Sequence, residues 1–165
     1  LDVTSGLSRN LTERYRNGEF DIIIVKEPAA SADHHATFPE EMAWFASENS
    51  KTPWADPVSL VTFPQGGLYR DEMFATLERE RRRWYIAFTG SSLDSGLVSV
   101  ETGLGLSLLP VATTNGRRVR RYDSLGAVPP MVVSIYTWEK AGIISQLVDK
   151  MTSVLQKRFQ SSINV

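Results

Sequence analysis

The chain has 165 residues, 42% of them hydrophobic and 22% charged, with a formal net charge of -1. That composition belongs to an ordinary globular domain large enough to bury a core without staples, and it carries no global basic field for nucleic acid. It contains no cysteine, which excludes a disulfide framework, a thiolate metal site and a cysteine nucleophile, and fits a cytoplasmic location. No apolar stretch is long enough to span a bilayer, so no membrane partner is expected.

Leu1–Thr4 alternates apolar and polar residues, as a half-buried strand does. A chain that opens inside a strand reads as a piece of a longer protein. Ser8 is a suitable helix N-cap, Leu11 and Tyr15 share a helical face, and Asn17-Gly18 is a helix stop. The β-branched run from Phe20 to Val25 predicts a strand covered on both faces, hence a parallel sheet and a βαβ unit. Glu27 to Pro39 reads as a polar break.

Strands are predicted at Met42–Ser47 and Val58–Phe63, then a helix from Leu68 to about Arg82 with Met73, Phe74 and Leu77 apolar. Trp84–Phe88 reads as a strand. Leu93–Thr102 reads as a helix with Leu97, Val98 and Val100 inward, and Leu104–Leu109 as a strand stopped by Pro110. The alternation of strand and helix predicts an α/β fold. A short basic strand from Arg117 to Tyr122, a long strand at Met131–Tyr136 and an amphipathic helix from about Gly142 to Phe159 complete the chain. Trp54, in a Pro-flanked loop, is expected at the surface.

Three turns that lead from a strand into a helix are rich in Ser, Thr and Gly: Ser5–Ser8, Phe63–Gly67 and Thr89–Ser92. In open parallel sheets, ligands bind beyond the carboxyl ends of strands, where helix N-termini favour anions. The candidate ligand-binding residues are therefore Ser5, Gly6, Ser8, Phe63, Pro64, Gln65, Gly66, Gly67, Thr89, Ser91 and Ser92. A carboxylate-bearing small molecule is the expected ligand. The plainer alternative is that the serines are helix caps and Gly66-Gly67 a turn.

Other chemistry is weakly signalled. His34-His35 are adjacent, with no Cys or third His to complete a metal site. Gly103-Leu104-Gly105 precedes a strand, whereas a dinucleotide fingerprint follows one. No Gly-x-Ser-x-Gly elbow occurs, and Ser92 and Asp94 with a distant His34 do not form a triad pattern. No enzyme activity, cofactor or metal is expected. The runs Glu78–Arg83 and Arg117–Arg121 read as a solvated helix end and a charge-guarded edge strand.

Three segments in order carry a family resemblance: Leu1–Val25, ending in N-G-E-F-D-I-I-I-V; Val58–Asp71, V-S-L-V-T-F-P-Q-G-G-L-Y-R-D; and Val98–Pro110, V-S-V-E-T-G-L-G-L-S-L-L-P. Together they resemble the effector-binding domain of LysR-type transcriptional regulators. The resemblance implies two Rossmann-like lobes in a type 2 periplasmic-binding-protein-like fold, with the effector between them. It places lobe one at residues 1–26 and 138–165 without its first strand and helix, lobe two at 32–131, and crossovers at 27–31 and 132–137. It further implies a homodimer or homotetramer built on the helices near Leu7–Tyr15 and Leu93–Thr102, and DNA contact through an N-terminal winged helix-turn-helix. The alternative is a transporter's solute-binding protein, which shares this fold.

Overall fold

The computed structural model describes residues 1–50 and 56–161, so the expectation for Trp54 lies outside the described residues. The chain divides into two units, Leu1–Glu40 with Pro130–Val165, and Glu41–Pro129. The lobes implied by the resemblance divide elsewhere. Residues 132–137, placed there in a crossover, lie in a strand of unit 1.

Unit 1 is a three-stranded sheet with a helix on each face. Strand β1 (Ile22–Glu27) and strand β2 (Ala36–Glu40) flank β8 (Met131–Thr137), each antiparallel to it. (Strands β3 to β7 belong to unit 2.) The parallel arrangement expected from the Phe20–Val25 run is corrected. A continuous apolar run reports burial on two faces, and that much is present, but it does not report strand direction. Ile23 and Val25 pack with Tyr15 of helix α1 (Ser8–Arg16) and with Tyr136. Ile22 turns the other way, toward Phe38, Ile135 and Val148 under helix α4 (Gly142–Ser161). Phe38 and Phe159 stack with ring centroids 5.4 Å apart.

Two further expectations in this unit are corrected. Leu1–Thr4 forms no strand, and Leu1 and Val3 are exposed. Alternation marks a segment able to bury one face, but a strand also needs a neighbour for its amides, and no described strand pairs with this one. The expected βαβ unit is therefore not formed. The break expected at Glu27–Pro39 contains β2, with Pro39 opposite Val132. A proline is tolerated there because β2 is an edge strand. Tyr136 pins the preceding loop: its hydroxyl donates to Glu27 Oε1 at 2.5 Å and accepts the Ser31 amide at 2.8 Å. Burial pushes the Tyr136 hydroxyl pKa up, and the bond to Glu27 adds to the rise.

Unit 2 has two groups of strands. Strands β4 (Val58–Thr62) and β5 (Trp84–Thr89) are parallel. Strand β3 (Met42–Ser47) lies between β6 (Ser107–Pro110) and β7 (Val119–Arg121), antiparallel to both. The groups are joined through Leu106, whose amide donates to Ser59 O at 2.9 Å and whose carbonyl accepts the Val61 amide at 2.8 Å. The spatial order is thus β5-β4-β6-β3-β7. Helix α3 (Leu93–Glu101) supplies Leu97 and Val100 to a core with Ala43, Phe45, Val61, Phe63 and Leu109. Helix α2 (Leu68–Arg79) buries Met73 and Leu77 and packs against β6.

Val98 does not face inward as expected; it is 45% exposed. Leu97 and Val100 lie three apart on one helical face, and Val98 is turned roughly 100° from Leu97. Helix α2 ends at Arg79 rather than Arg82, where Arg81 takes a left-handed φ of 51°. In the charge run that follows, Arg83 Nε and Nη2 both bond Asp56 Oδ2, at 3.1 and 2.8 Å. The other basic run leads into the edge strand β7, and ahead of the strand Arg117 bonds both oxygens of Glu101 at 3.1 Å. The amide of Arg118 and, after it, the charge of Arg117 hold the Glu101 carboxyl below the usual range. Among the described residues no helix is long and apolar enough to cross a membrane.

Candidate functional site

Two of the three expected loops converge. Thr62 and Thr89 are register partners in the parallel β4–β5 pair, so both strands run out at one end of the sheet. The Gly90 amide donates to Thr62 O at 2.8 Å and ties the second loop to the first strand. Residues Phe63–Gly67 and Thr89–Ser92 therefore leave side by side, and α2 and α3 start there.

The sequence dictates each turn locally. Gly66 has φ 83°, a left-handed conformation suited to glycine. Gly67 is the N-cap of α2, and a Cβ on it would come 3.0 Å from Pro64 O. No side chain caps α2. Ser92 caps α3: its Oγ accepts the Ser95 amide at 3.2 Å, and Ser95 Oγ accepts the Ser92 amide at 3.1 Å. Ser92 thus has a capping role. Pro64, Gln65, Thr89, Ser91 and Ser92 are exposed, with Gly66 half-buried. Phe63 is 6% exposed, edge-on to Tyr69 at 5.6 Å and pressed against Gly96, whose added Cβ would meet its ring at 3.0 Å.

Two residues here escaped the sequence reading. Arg70 Nη1 donates to Phe63 O at 3.0 Å, and its guanidinium lies 4.9 Å from the Phe74 ring centroid. Thr62 is fully buried, and its Oγ1 has no hydrogen-bond partner. A threonine closing the mainly apolar strand β4 was the available signal.

The third loop belongs to unit 1. Ser5 and Gly6 are exposed. The expected N-cap role of Ser8 is corrected. Leu7 is the N-cap, without a side-chain bond, and Ser8 Oγ accepts the Lys26 amide at 3.0 Å. The hydroxyl satisfies a strand end rather than its own helix. Gly6 and Ser8 line a cavity of about 340 Å³ within unit 1, together with Lys26, Glu40 and Arg158. Among the described residues no group of three or more His, Cys, Asp or Glu is arranged to hold a metal.

Two α/β units, one with a parallel strand pair whose exits form glycine- and serine-rich helix starts, define a binding domain of the type 2 periplasmic-binding-protein-like class. The family model described as LysR substrate binding domain matches residues 1–143, and the chain belongs to that family. Its members serve as effector-binding domains of LysR-type transcriptional regulators, which favours that role over the transporter alternative. The regulatory domain of Synechocystis PCC6803 CcmR, in complex with 2-PG, is 17% identical with a TM-score of 0.67, covering 90% of this chain and 79% of that one. The effector-binding domain of QuiR, in complex with shikimate, is 12% identical with a TM-score of 0.63, covering 89% and 77%. Full-length HypT of Salmonella typhimurium, a hypochlorite-specific LysR-type regulator, is 14% identical with a TM-score of 0.71, covering 93% of this chain and 58% of that one. At these identities the likenesses show the fold.

Proposed function

We propose that the loops Phe63–Gly67 and Thr89–Ser92 bind a small anionic effector, so that the chain serves as the ligand sensor of a LysR-type regulator. The observation that carries this reading is the convergence of two helix starts beside the buried, unpartnered Thr62 hydroxyl. Helix N-termini present amides and a positive dipole end to an anion. The α2 start has Gly67 as its N-cap, with no side-chain hydrogen bond to its amides. A buried hydroxyl without a partner carries a cost that a ligand oxygen would remove. The relatives bound to 2-PG and shikimate supply the chemical class, a compact carboxylate.

The same reading makes the chain a non-enzyme, cytoplasmic and self-associating as a homodimer or homotetramer. DNA would be contacted by a winged helix-turn-helix elsewhere in the regulator. The face for association includes α3 around the exposed Val98 and the open edge of β5, where Tyr85 and Ile86 are exposed.

A thermal-shift screen tests the ligand. Compact carboxylates, shikimate among them, are compared with their neutral amides. At about a hundredfold excess over Kd, binding adds about 2.7 kcal/mol. For a chain of this size that raises Tm by roughly 5–10 °C. Equal shifts from acid and amide, or none from either, would refute an anion site.

A further inference from the structure

We propose that the Asn115-Gly116 turn is a site of spontaneous covalent modification, where the asparagine amide is lost through a cyclic succinimide and replaced by a mixture of aspartate and isoaspartate. The site lies in unit 2 and involves none of the residues of the loops Phe63–Gly67 and Thr89–Ser92.

The reaction needs a backbone nitrogen that is free to attack the preceding side chain. The amide nitrogen of the following residue loses its proton to hydroxide and bonds to the asparagine Cγ. The side-chain nitrogen takes up a proton and leaves as ammonia. Water then opens the five-membered ring at either carbonyl. Opening at one gives aspartate, and opening at the other gives isoaspartate. One water is consumed and one ammonia released, with no oxidant or reductant. Glycine in the second position favours the attack, because no Cβ obstructs the approach of its nitrogen.

The chain has two such pairs, Asn17-Gly18 and Asn115-Gly116. Both asparagines are exposed. Both glycines take a left-handed φ, 76° and 70°, and an added Cβ would meet nothing within 4 Å at either. Hydrogen bonding separates them. Asn17 is the C-cap of α1, and the next two amides close that helix end. The Gly18 amide donates to Tyr15 O at 2.9 Å, and the Glu19 amide to Arg14 O at 3.0 Å. The attacking nitrogen is therefore held, and the end of α1 must open before it can turn toward its neighbour.

Asn115 lies instead in a turn closed by the Arg117 amide, which donates to Thr114 O at 3.1 Å. That bond spans the Asn115-Gly116 peptide and leaves its N–H out. Among the described residues neither the Gly116 amide nor the Asn115 side chain has a hydrogen-bond partner. Nucleophile and target are thus both exposed and both untied. Where the ring opens to isoaspartate, the main chain gains a methylene just ahead of Arg117, which holds both oxygens of Glu101, and of β7, which starts at Val119.

The test is ageing of the 165-residue protein in mildly alkaline buffer, followed by mass spectrometry of tryptic peptides. Residues 17–26 and 84–117 form two such peptides, each with a single asparagine and no glutamine, so a mass gain of amide to acid identifies its own position. Isoaspartate is read by methyl transfer from S-adenosylmethionine with an isoaspartyl methyltransferase. In the folded protein Asn115 converts faster than Asn17 by about tenfold or more, since a backbone bond that must first open slows attack by about that factor. The peptide 84–117 becomes a methyl acceptor. In concentrated urea the two rates converge, because the Gly18 amide is released. The proposal is overturned by no gain at Asn115 in folded protein while the urea sample converts, or by equal rates at the two positions in the folded protein. A rate ratio that persists in urea also overturns it, since the preference would then come from the neighbouring residues and not from the fold. Mass gain at Asn115 without methyl acceptance overturns the succinimide route, because direct hydrolysis gives aspartate alone.

Discussion

Replacing Gly105 by Ala is expected to destabilise the protein by about 3 kcal/mol or more in urea denaturation. A Cβ at this position would lie 2.6 Å from Ser59 O and 2.8 Å from Ser59 C. Both are backbone atoms of β4, so no side chain can swing aside. The strand itself must move, and the neighbouring Leu106 amide bonds that same Ser59 carbonyl to join the two strand groups of unit 2. Overpacking of this kind costs roughly 1–3 kcal/mol in a core and more when backbone hydrogen bonds go with it. Gly103→Ala is the matched control. Its Cβ would meet nothing within 4 Å, but its φ is +83°. The cost there is the left-handed backbone alone, about 1–2 kcal/mol. Equal losses at the two positions would show that contact with β4 is not the reason for a glycine at 105.

Phe63→Ala is expected to cost about 3–4 kcal/mol, against less than about 1.5 kcal/mol for Phe63→Leu. The ring fills the space over Gly96 and packs with Val61, Leu97 and Tyr69. Helix α3 approaches β4 closely because residue 96 has no side chain, and truncating Phe63 leaves a cavity that Gly96 cannot fill. Denaturant midpoints of the two variants check this. A small effect of the alanine variant would mean that Phe63 serves the ligand site more than the core.

Much of unit 2 was legible in the sequence. Strands β4 and β5, helices α2 and α3 and the turns between them follow from short apolar runs punctuated by Pro64, Gly66-Gly67 and Ser91-Ser92. Such signals are local, and the loops converge once β4 and β5 pair in parallel. Unit 1 was less legible because its determinants are not local. The direction of β1 is set by pairing with β8, more than a hundred residues later. Pro39 hides β2, since a proline's acceptability depends on whether a strand lies at the edge. Leu1–Thr4 has a strand's pattern and no partner. The same distinction holds for the sites. Glycines and serines of the loops announce themselves, whereas Thr62, Lys26 and Glu40 become notable only once burial is known. No composition rule distinguishes a lysine that meets a buried glutamate from one in water.

The central claim is that an anionic effector is bound where β4 and β5 end. Hydrogen exchange with and without the best carboxylate from the thermal screen tests it most directly. The account predicts slowed exchange at the amides of residues 66–70 and 90–94, the two helix starts that would hold the anion. Slowing confined to other segments, with these two unchanged, would contradict it.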